Sequence, residues 1–526
     1  MRLALSCLTL FGLAFASLPS PAAAQHQSPP QSLREQAFGA ENRGDFATAA
    51  EAFLKLVAAE PGNPKWVVNA GSCLGRSGRF ADAIDLLEEA RKKFDGVIEV
   101  PSMLARTLLL KAERDAGALD PYGLRTQAAE LAEGVLRLDP DHEDSRLVLA
   151  QARYMMGDWD EAVKQAEEAV RRHPDRSGAH ILLGRIAADR MRDLLAAHDS
   201  GEVSGQALAD LTARLDGQRK SAQASFERAA ELDPTRAHPH VMLARIALLD
   251  KKAADVRRHL LDALAIDPET SIDHRHITDG LDWQGRQQAY ATALQRYSER
   301  EGATARGRGT LRWFVGKALF DGRQWQAARA AFEQALVDNP AAFNSYYYAA
   351  LAAYELGDHD GAEKHAGDYA AVSATGFADV VRNLAGDARG QVAAIVKFLA
   401  DRAYANGNKA RSRELNHVTA LLYDTAEAWN NRAFLCRETG RFEDAVEAYG
   451  RALLKEPKSP QLLNDLAVVL HYHLPNEANL RRARGLYEQA IENARAILDD
   501  ANATASDRQL ARQALTDATS NLAEMK

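Results

Sequence analysis

Seven prolines in this 526-residue chain mark out one repeated pattern: Pro61, Pro140, Pro174, Pro234, Pro268, Pro340 and Pro457. Twelve residues before each stands a small or β-branched residue: Ala49, Ala128, Ala162, Ala222, Val256, Ala328 and Ala445. Eight before come Phe53, Ala132, Ala166, Phe226, Leu260, Phe332 and Tyr449. Five before come Leu56, Val135, Ala169, Ala229, Ala263, Ala335 and Ala452. These positions are spaced i, i+4, i+7 and therefore share one face of an α-helix. The proline stops that helix, and in five of the seven cases a glycine seventeen residues before it supplies the opening turn: Gly44, Gly123, Gly157, Gly217 and Gly440. A second amphipathic helix lies upstream of each glycine. Such a hairpin cannot bury its apolar face alone, so the chain must stack one hairpin on the next.

The cleanest unit spans 426–459 and carries Trp429, Ala433, Cys436, Gly440, Phe442, Ala445, Tyr449, Ala452 and Pro457. It resembles the tetratricopeptide repeat, a 34-residue pattern of W-x2-L-G-x2-Y, then A-x3-F, then P. Arg432 departs from the family's Leu, and Ala433 from its Gly. The resemblance implies an all-α fold, a right-handed superhelical solenoid of stacked helix-turn-helix repeats.

The grid predicts an N-terminal array over 30–301, with units near 30–63, 64–97, 98–142, 143–176, 177–236, 237–270 and an irregular 271–301. A C-terminal array follows over 309–495, with units 309–342, 343–376, 393–426, 426–459 and 460–495. The units at 98–142 and 177–236 are extended, each expected as two longer helices with a loop at the tip: Gly117 to Pro121 in the first, Asp199 to Gly205 in the second. The glycine-rich run 302–309 reads as a flexible joint between the arrays, and 496–526 as a closing helical region that shields the last repeat.

Residues 1–24 read as a secretory signal: Arg2, an apolar run from Leu3 to Phe15, and Ala22, Ala23 and Ala24 before a cleavage site. Residues 25–29 are then a linker, and the mature chain is expected to be exported, to a periplasm or outside the cell. No later segment offers about 18 uninterrupted apolar residues, so no transmembrane helix is expected in the mature chain. Cys73 and Cys436 remain after cleavage and read as buried free thiols behaving as small apolar residues. The net charge of −8 argues against a nucleic-acid partner.

Signals for chemistry are sparse. The 302–309 run has the spacing G-x4-G, but Arg308 and Gly309 stand where a phosphate loop needs Lys and Ser or Thr. His274 and His276, and again His471 and His473, are two apart, which on a helix points them in different directions. The expectation is no catalytic residue, no cofactor and no metal. A site using His274, His276 and Asp279 in the irregular region is the enzymatic alternative.

In the tetratricopeptide family, positions 2, 5, 9 and 12 of each first helix line a concave groove. Carried over, these positions give Trp313, Lys317, Phe320, Tyr347, Tyr354, Lys397, Asp401, Tyr404, Asn430, Phe434, Arg437, Asn464 and His471. Aromatic and basic side chains among amides suit a peptide-binding surface. The function expected is a non-enzymatic scaffold of the cell envelope that binds a protein or peptide partner in the groove. The alternative is a glycan-binding subunit of an envelope polysaccharide export or assembly system, with sugar rings stacked on the aromatics. A third possibility is that these aromatics are packing residues, held between superhelical turns or against the C-terminal helices.

Overall fold

The computed structural model describes residues 29–115, 120–202 and 204–525. The signal segment 1–24, most of the linker and the tip 116–119 lie outside the described residues. No strand occurs among the described residues, and no described helix is long and apolar enough to cross a membrane.

The chain divides into two compact units after Asp233, upstream of the expected joint at 302–309. The first holds five hairpins: α1 (Pro29–Asn42) with α2 (Phe46–Ala59), α3 (Pro64–Arg76) with α4 (Phe80–Lys93), α5 (Glu99–Arg114) with α6 (Pro121–Leu138), α7 (Glu143–Met155) with α8 (Trp159–Arg172), and α9 (Ser177–Asp199) with α10 (Gly205–Leu232). The second begins with α11 (His238–Leu249) and α12 (Ala253–Leu264), followed by a single turn, α13 (Arg275–Thr278), and α14 (Trp283–Ser298). Next come α15 (Ala305–Asp321), α16 (Trp325–Asp338), α17 (Phe343–Glu355), α18 (His359–Arg382), α19 (Ala388–Ala405) and α20 (Lys409–Tyr423). The chain continues through α21 (Ala426–Glu438), α22 (Phe442–Lys455), α23 (Pro460–Val468), a π-helical turn Val469–His473, α24 (Glu477–Asp499) and α25 (Ala505–Glu524).

The hairpin α21–α22 shows how the sequence writes this unit. Thr425 caps α21 by accepting the Ala428 N–H on its hydroxyl at 3.2 Å. Gly440 takes φ 73°, the left-handed conformation that costs glycine nothing, and turns the chain into α22. Trp429, Ala433, Cys436, Ala445, Tyr449 and Ala452 then meet in one buried cluster. A small residue facing a ring lets the two helices approach, and each large side chain so buried contributes about 1.5–3 kcal/mol. The same left-handed glycine turns recur at Gly44, Gly78, Gly157, Gly357 and Gly407.

Two of the five glycines at the turn position behave otherwise. Gly123 lies in the first turn of α6, where Asp120 accepts its N–H at 2.8 Å, and Gly217 lies inside α10. Both belong to extended units, whose second helix starts earlier than the 34-residue grid allows. At 271–301 the departure runs the other way, with the first helix of the hairpin reduced to the single turn α13.

The 302–309 segment is a tight turn and a packed helix, and this corrects the flexible joint. Gly302 takes φ 81°, Thr304 caps α15 by accepting the Gly307 N–H at 3.0 Å, and the helix runs from Ala305. Gly307 and Gly309 are buried because no side chain would fit there. A Cβ on Gly309 would sit 2.8 Å from Asn339 Cβ and 3.0 Å from the Ala335 carbonyl oxygen, both too close. Gly309→Ala is therefore expected to destabilise the protein by about 1–3 kcal/mol in urea unfolding. Were this stretch loosely packed, the same change would stabilise it by about 0.5–1 kcal/mol.

Candidate functional site

Every groove residue expected from the sequence lies in the second unit, on α15, α17, α19, α21, α23 or the π-helical turn that follows α23. They form local clusters of differing character.

On α15, Trp313, Lys317 and Phe320 gather around one ring, that of Tyr348 on α17. Trp313 meets it edge-on at 6.1 Å, Phe320 edge-on at 5.1 Å, and the Lys317 ammonium lies 5.5 Å from its centroid. Phe332 of α16 stacks on Tyr348 from beneath at 5.3 Å. Lys317 also pairs with Asp321 one turn along its helix. Burial raises the Tyr348 phenol above its ordinary range, with Asp321 adding to the effect, so the ring stays neutral. This cluster is half-buried. Tyr348 was missed at the sequence level because it falls one residue past the groove register.

Tyr347 corrects the sequence reading. It is only 3% exposed, with its ring edge-on to Phe377 at 6.1 Å, and so is closed to a ligand. Its cover comes from the far end of α18, which is two helices in succession. Ser373 leaves helical geometry at φ −158° and ψ 89°, and its hydroxyl accepts the Gly376 N–H at 3.0 Å, capping a short second segment. That segment places Phe377, Ala378 and Val381 in the core, with Phe377 stacked on Tyr369 at 4.9 Å.

Asn464 is the second correction. It is 6% exposed, and its side-chain oxygen accepts a hydrogen bond from Asn521 of α25 at 3.2 Å. The C-terminal helix thus covers α23, anchored also by the Tyr472 hydroxyl donating to Glu524 at 2.7 Å. Beside Asn464, burial raises the Asp465 carboxyl, opposed by Arg437 at 4.0 Å.

The remaining residues are accessible. Tyr354 is half-buried, edge-on to Phe398 of α19 at 6.0 Å, and Phe398 itself is 42% exposed. Lys397 is exposed and donates to Asp401 at 2.9 Å, a bond that raises its pKa and keeps it charged. Tyr404 is 47% exposed and meets Phe434 of α21 at 6.3 Å, and the Arg437 guanidinium sits 5.5 Å from the Phe434 centroid. Asn430 is half-buried, and its side-chain oxygen has no hydrogen-bond partner. Between α19, α20 and α21 a pocket of about 230 Å³ is lined by Lys397, Asn416, Thr419, Tyr423, Glu427 and Asn431, among others. The α20 residues were outside the sequence reading, which followed first helices alone.

His274 and His276 line one cavity together with Asp273, whereas His471 and His473 turn to different neighbours. His274 stacks on Phe314 at 4.1 Å and hydrogen-bonds through Nδ1 with the Tyr290 hydroxyl at 3.1 Å, while burial lowers its pKa. His473 stacks on Phe442 at 4.3 Å, whereas His471 turns to Tyr472 and Tyr487. Cys73 and Cys436 are free and buried, and burial pushes the Cys73 thiol up to about 11.

Family models described as tetratricopeptide repeat match residues 36–98 and 316–376, 123–186, and 426–459. No curated protein matches the sequence. Among solved structures the chain is similar to the APC/C hetero-tetramer Cut9-Hcn1, at 13% identity over 93% of this chain and 97% of that one, TM-score 0.28. A tetratricopeptide repeat protein from Parabacteroides merdae matches at 13% identity over 61% of this chain and 98% of its own, TM-score 0.29. MamA matches at 18% identity over 38% of this chain and 94% of its own, TM-score 0.26. At such TM-scores these likenesses say nothing of function. Among its described residues the chain is an all-α stack of helical hairpins, and models of the tetratricopeptide repeat match it on those segments.

Proposed function

We propose that this protein is an exported, non-enzymatic scaffold of the cell envelope that holds a segment of a partner protein on the face carried by α17, α19 and α21. Stacked repeats of this kind provide extended binding surfaces, and a preformed surface binds at little ordering cost on its own side. One observation carries the reading: Tyr354, Phe398, Tyr404 and Phe434 form two aromatic contacts on adjacent first helices, with the Arg437 guanidinium over Phe434 and the exposed Lys397 on the same α19 as Phe398 and Tyr404. Rigid aromatics flanked by cations suit a peptide bearing apolar side chains and a carboxylate. Tyr347 and Asn464 have no part in it.

The test starts with a photo-crosslinking residue at position 404 of the full chain, expressed in its own host, to identify the bound segment. A synthetic peptide of that segment is then titrated against purified protein. Tyr354→Ala, Lys397→Ala and Tyr404→Ala together are expected to weaken binding by tenfold or more, with helicity retained by circular dichroism. Equal binding by the triple variant would remove this surface from consideration. Saturable binding of oligosaccharides in place of peptide would move the function to glycan recognition.

A further inference from the structure

Away from that face, the hairpin α11–α12 brings together three side chains whose chemistry the repeat does not use. His240 stands in the first turn of α11, and His259 and Asp262 stand on α12. Spaced i, i+3, the latter two share one face of their helix. One donor atom from each of the three lies within 4.8 Å of the other two.

Their hydrogen bonding is incomplete in a particular way. His259 is 9% exposed, yet its Nδ1 has no hydrogen-bond partner, and the Nδ1 of His240 has none either. The His240 Nδ1 is 3.9 Å from the Asp262 Oδ2, too far for a hydrogen bond. The other Asp262 oxygen, Oδ1, accepts from Arg296 of α14 at 2.7 Å. Arg296 therefore orients the carboxylate and leaves Oδ2 on the side of the His240 Nδ1. One nitrogen of each imidazole and a carboxylate oxygen of Asp262 thus lie close together. A polar group buried without a partner is rare, because nothing repays its desolvation.

We propose that His240, His259 and Asp262 bind a zinc ion, with water in the fourth position. Two imidazoles and one carboxylate are a donor set zinc accepts, at about 2.0–2.2 Å per bond in a tetrahedron. Closing the triad around the ion needs side-chain rotations that draw the donors in by roughly an ångström. Two cations face the cluster. Arg296 is already paired to Asp262, and the exposed Arg258 is paired to Asp255 at 2.9 Å. Arg258 lies 3.3 Å from the His259 Nε2, and when Nδ1 takes the metal, Nε2 carries the proton and Arg258 keeps Asp255. Arg296 then plays the part of the outer partner that fixes a ligand's orientation. Sequence reading missed the triad because it weighed only histidine pairs two residues apart.

The experiment uses the full chain, stripped with a chelator and titrated with zinc against a chromophoric competitor. One tight equivalent per chain is expected, and cobalt in its place should give the visible bands of a tetrahedral ion. His240→Gln, His259→Gln and Asp262→Asn should each remove the tight equivalent. Arg296→Gln should weaken it by about ten- to hundred-fold, the effect of losing an outer partner. His274→Gln should leave it unchanged. If a histidine variant loses helicity, Asp262→Asn, which keeps the shape, decides the matter. No saturable equivalent in the intact chain, or one bound equally well by Asp262→Asn, would overturn the proposal.

Discussion

Phe377→Ala is expected to lower stability by about 3–5 kcal/mol, read as a shift of the urea transition followed by circular dichroism. Phe377 is 2% exposed, stacked on Tyr369 at 4.9 Å and edge-on to Tyr347 at 6.1 Å, so truncation leaves a cavity between three helical segments. The surrounding side chains have little room to collapse, because Ala374, Ala378 and Val381 on the same short segment are themselves buried. Phe377→Leu fills most of the hole and should cost markedly less. The substitution also tests the correction at Tyr347. If Phe377→Ala costs less than about 1 kcal/mol, the second segment of α18 is not seated on α17, and Tyr347 returns to the accessible surface.

Acid should destabilise this protein well before its carboxylates titrate, and His417 is the residue expected to contribute most. It sits half-buried on α20 with its ring 6.5 Å from that of Trp429. Burial, reinforced by Arg432 and opposed by Asp444, brings its pKa down to about 4. In the unfolded chain a histidine titrates near 6.5. Between those values the unfolded state binds a proton that the folded state refuses, so stability falls as pH falls. Above about 6.5 both states are neutral and the group contributes no slope. At about pH 4.5 the loss amounts to about 2.5 kcal/mol. His417→Gln should flatten the dependence by that much when urea unfolding is compared at about pH 7.5 and about pH 4.5. Burial also lowers His180, His274 and His365, so the parent and variant should both decline, and the difference between their curves is what reports on His417. Parallel curves would show that His417 is protonated in the folded protein.

The repeat could be read from the sequence because its physics is local. Spacing of i, i+4, i+7 assigns a helix face, glycine and proline punctuate it, and small residues opposite rings dictate how two neighbouring helices nest. Trp429, Ala433, Cys436, Ala445, Tyr449 and Ala452 meet in one cluster as that pattern requires. The glycines at 302–309 misled for the same reason, since a run of glycine looks like a loop until the helix it must approach is known. Gly309 is there because the Ala335 carbonyl and Asn339 leave no space for a Cβ.

Which groove positions stay open was beyond any local rule. Tyr347, Tyr354 and Tyr404 occupy the groove register alike, yet Tyr347 is covered by a segment thirty residues on and Tyr404 is not. Asn464 is covered by Asn521, a helix residue 57 positions further along the chain. The triad of His240, His259 and Asp262 likewise needs two helices to be packed before its donors face one another. The sequence by itself determined the helices, their pairing and the alternation of small and large residues at their contacts, because each depends on side chains one or two turns apart. The tertiary structure alone decided burial and convergence, because these depend on which distant segment fills the space beside a given side chain.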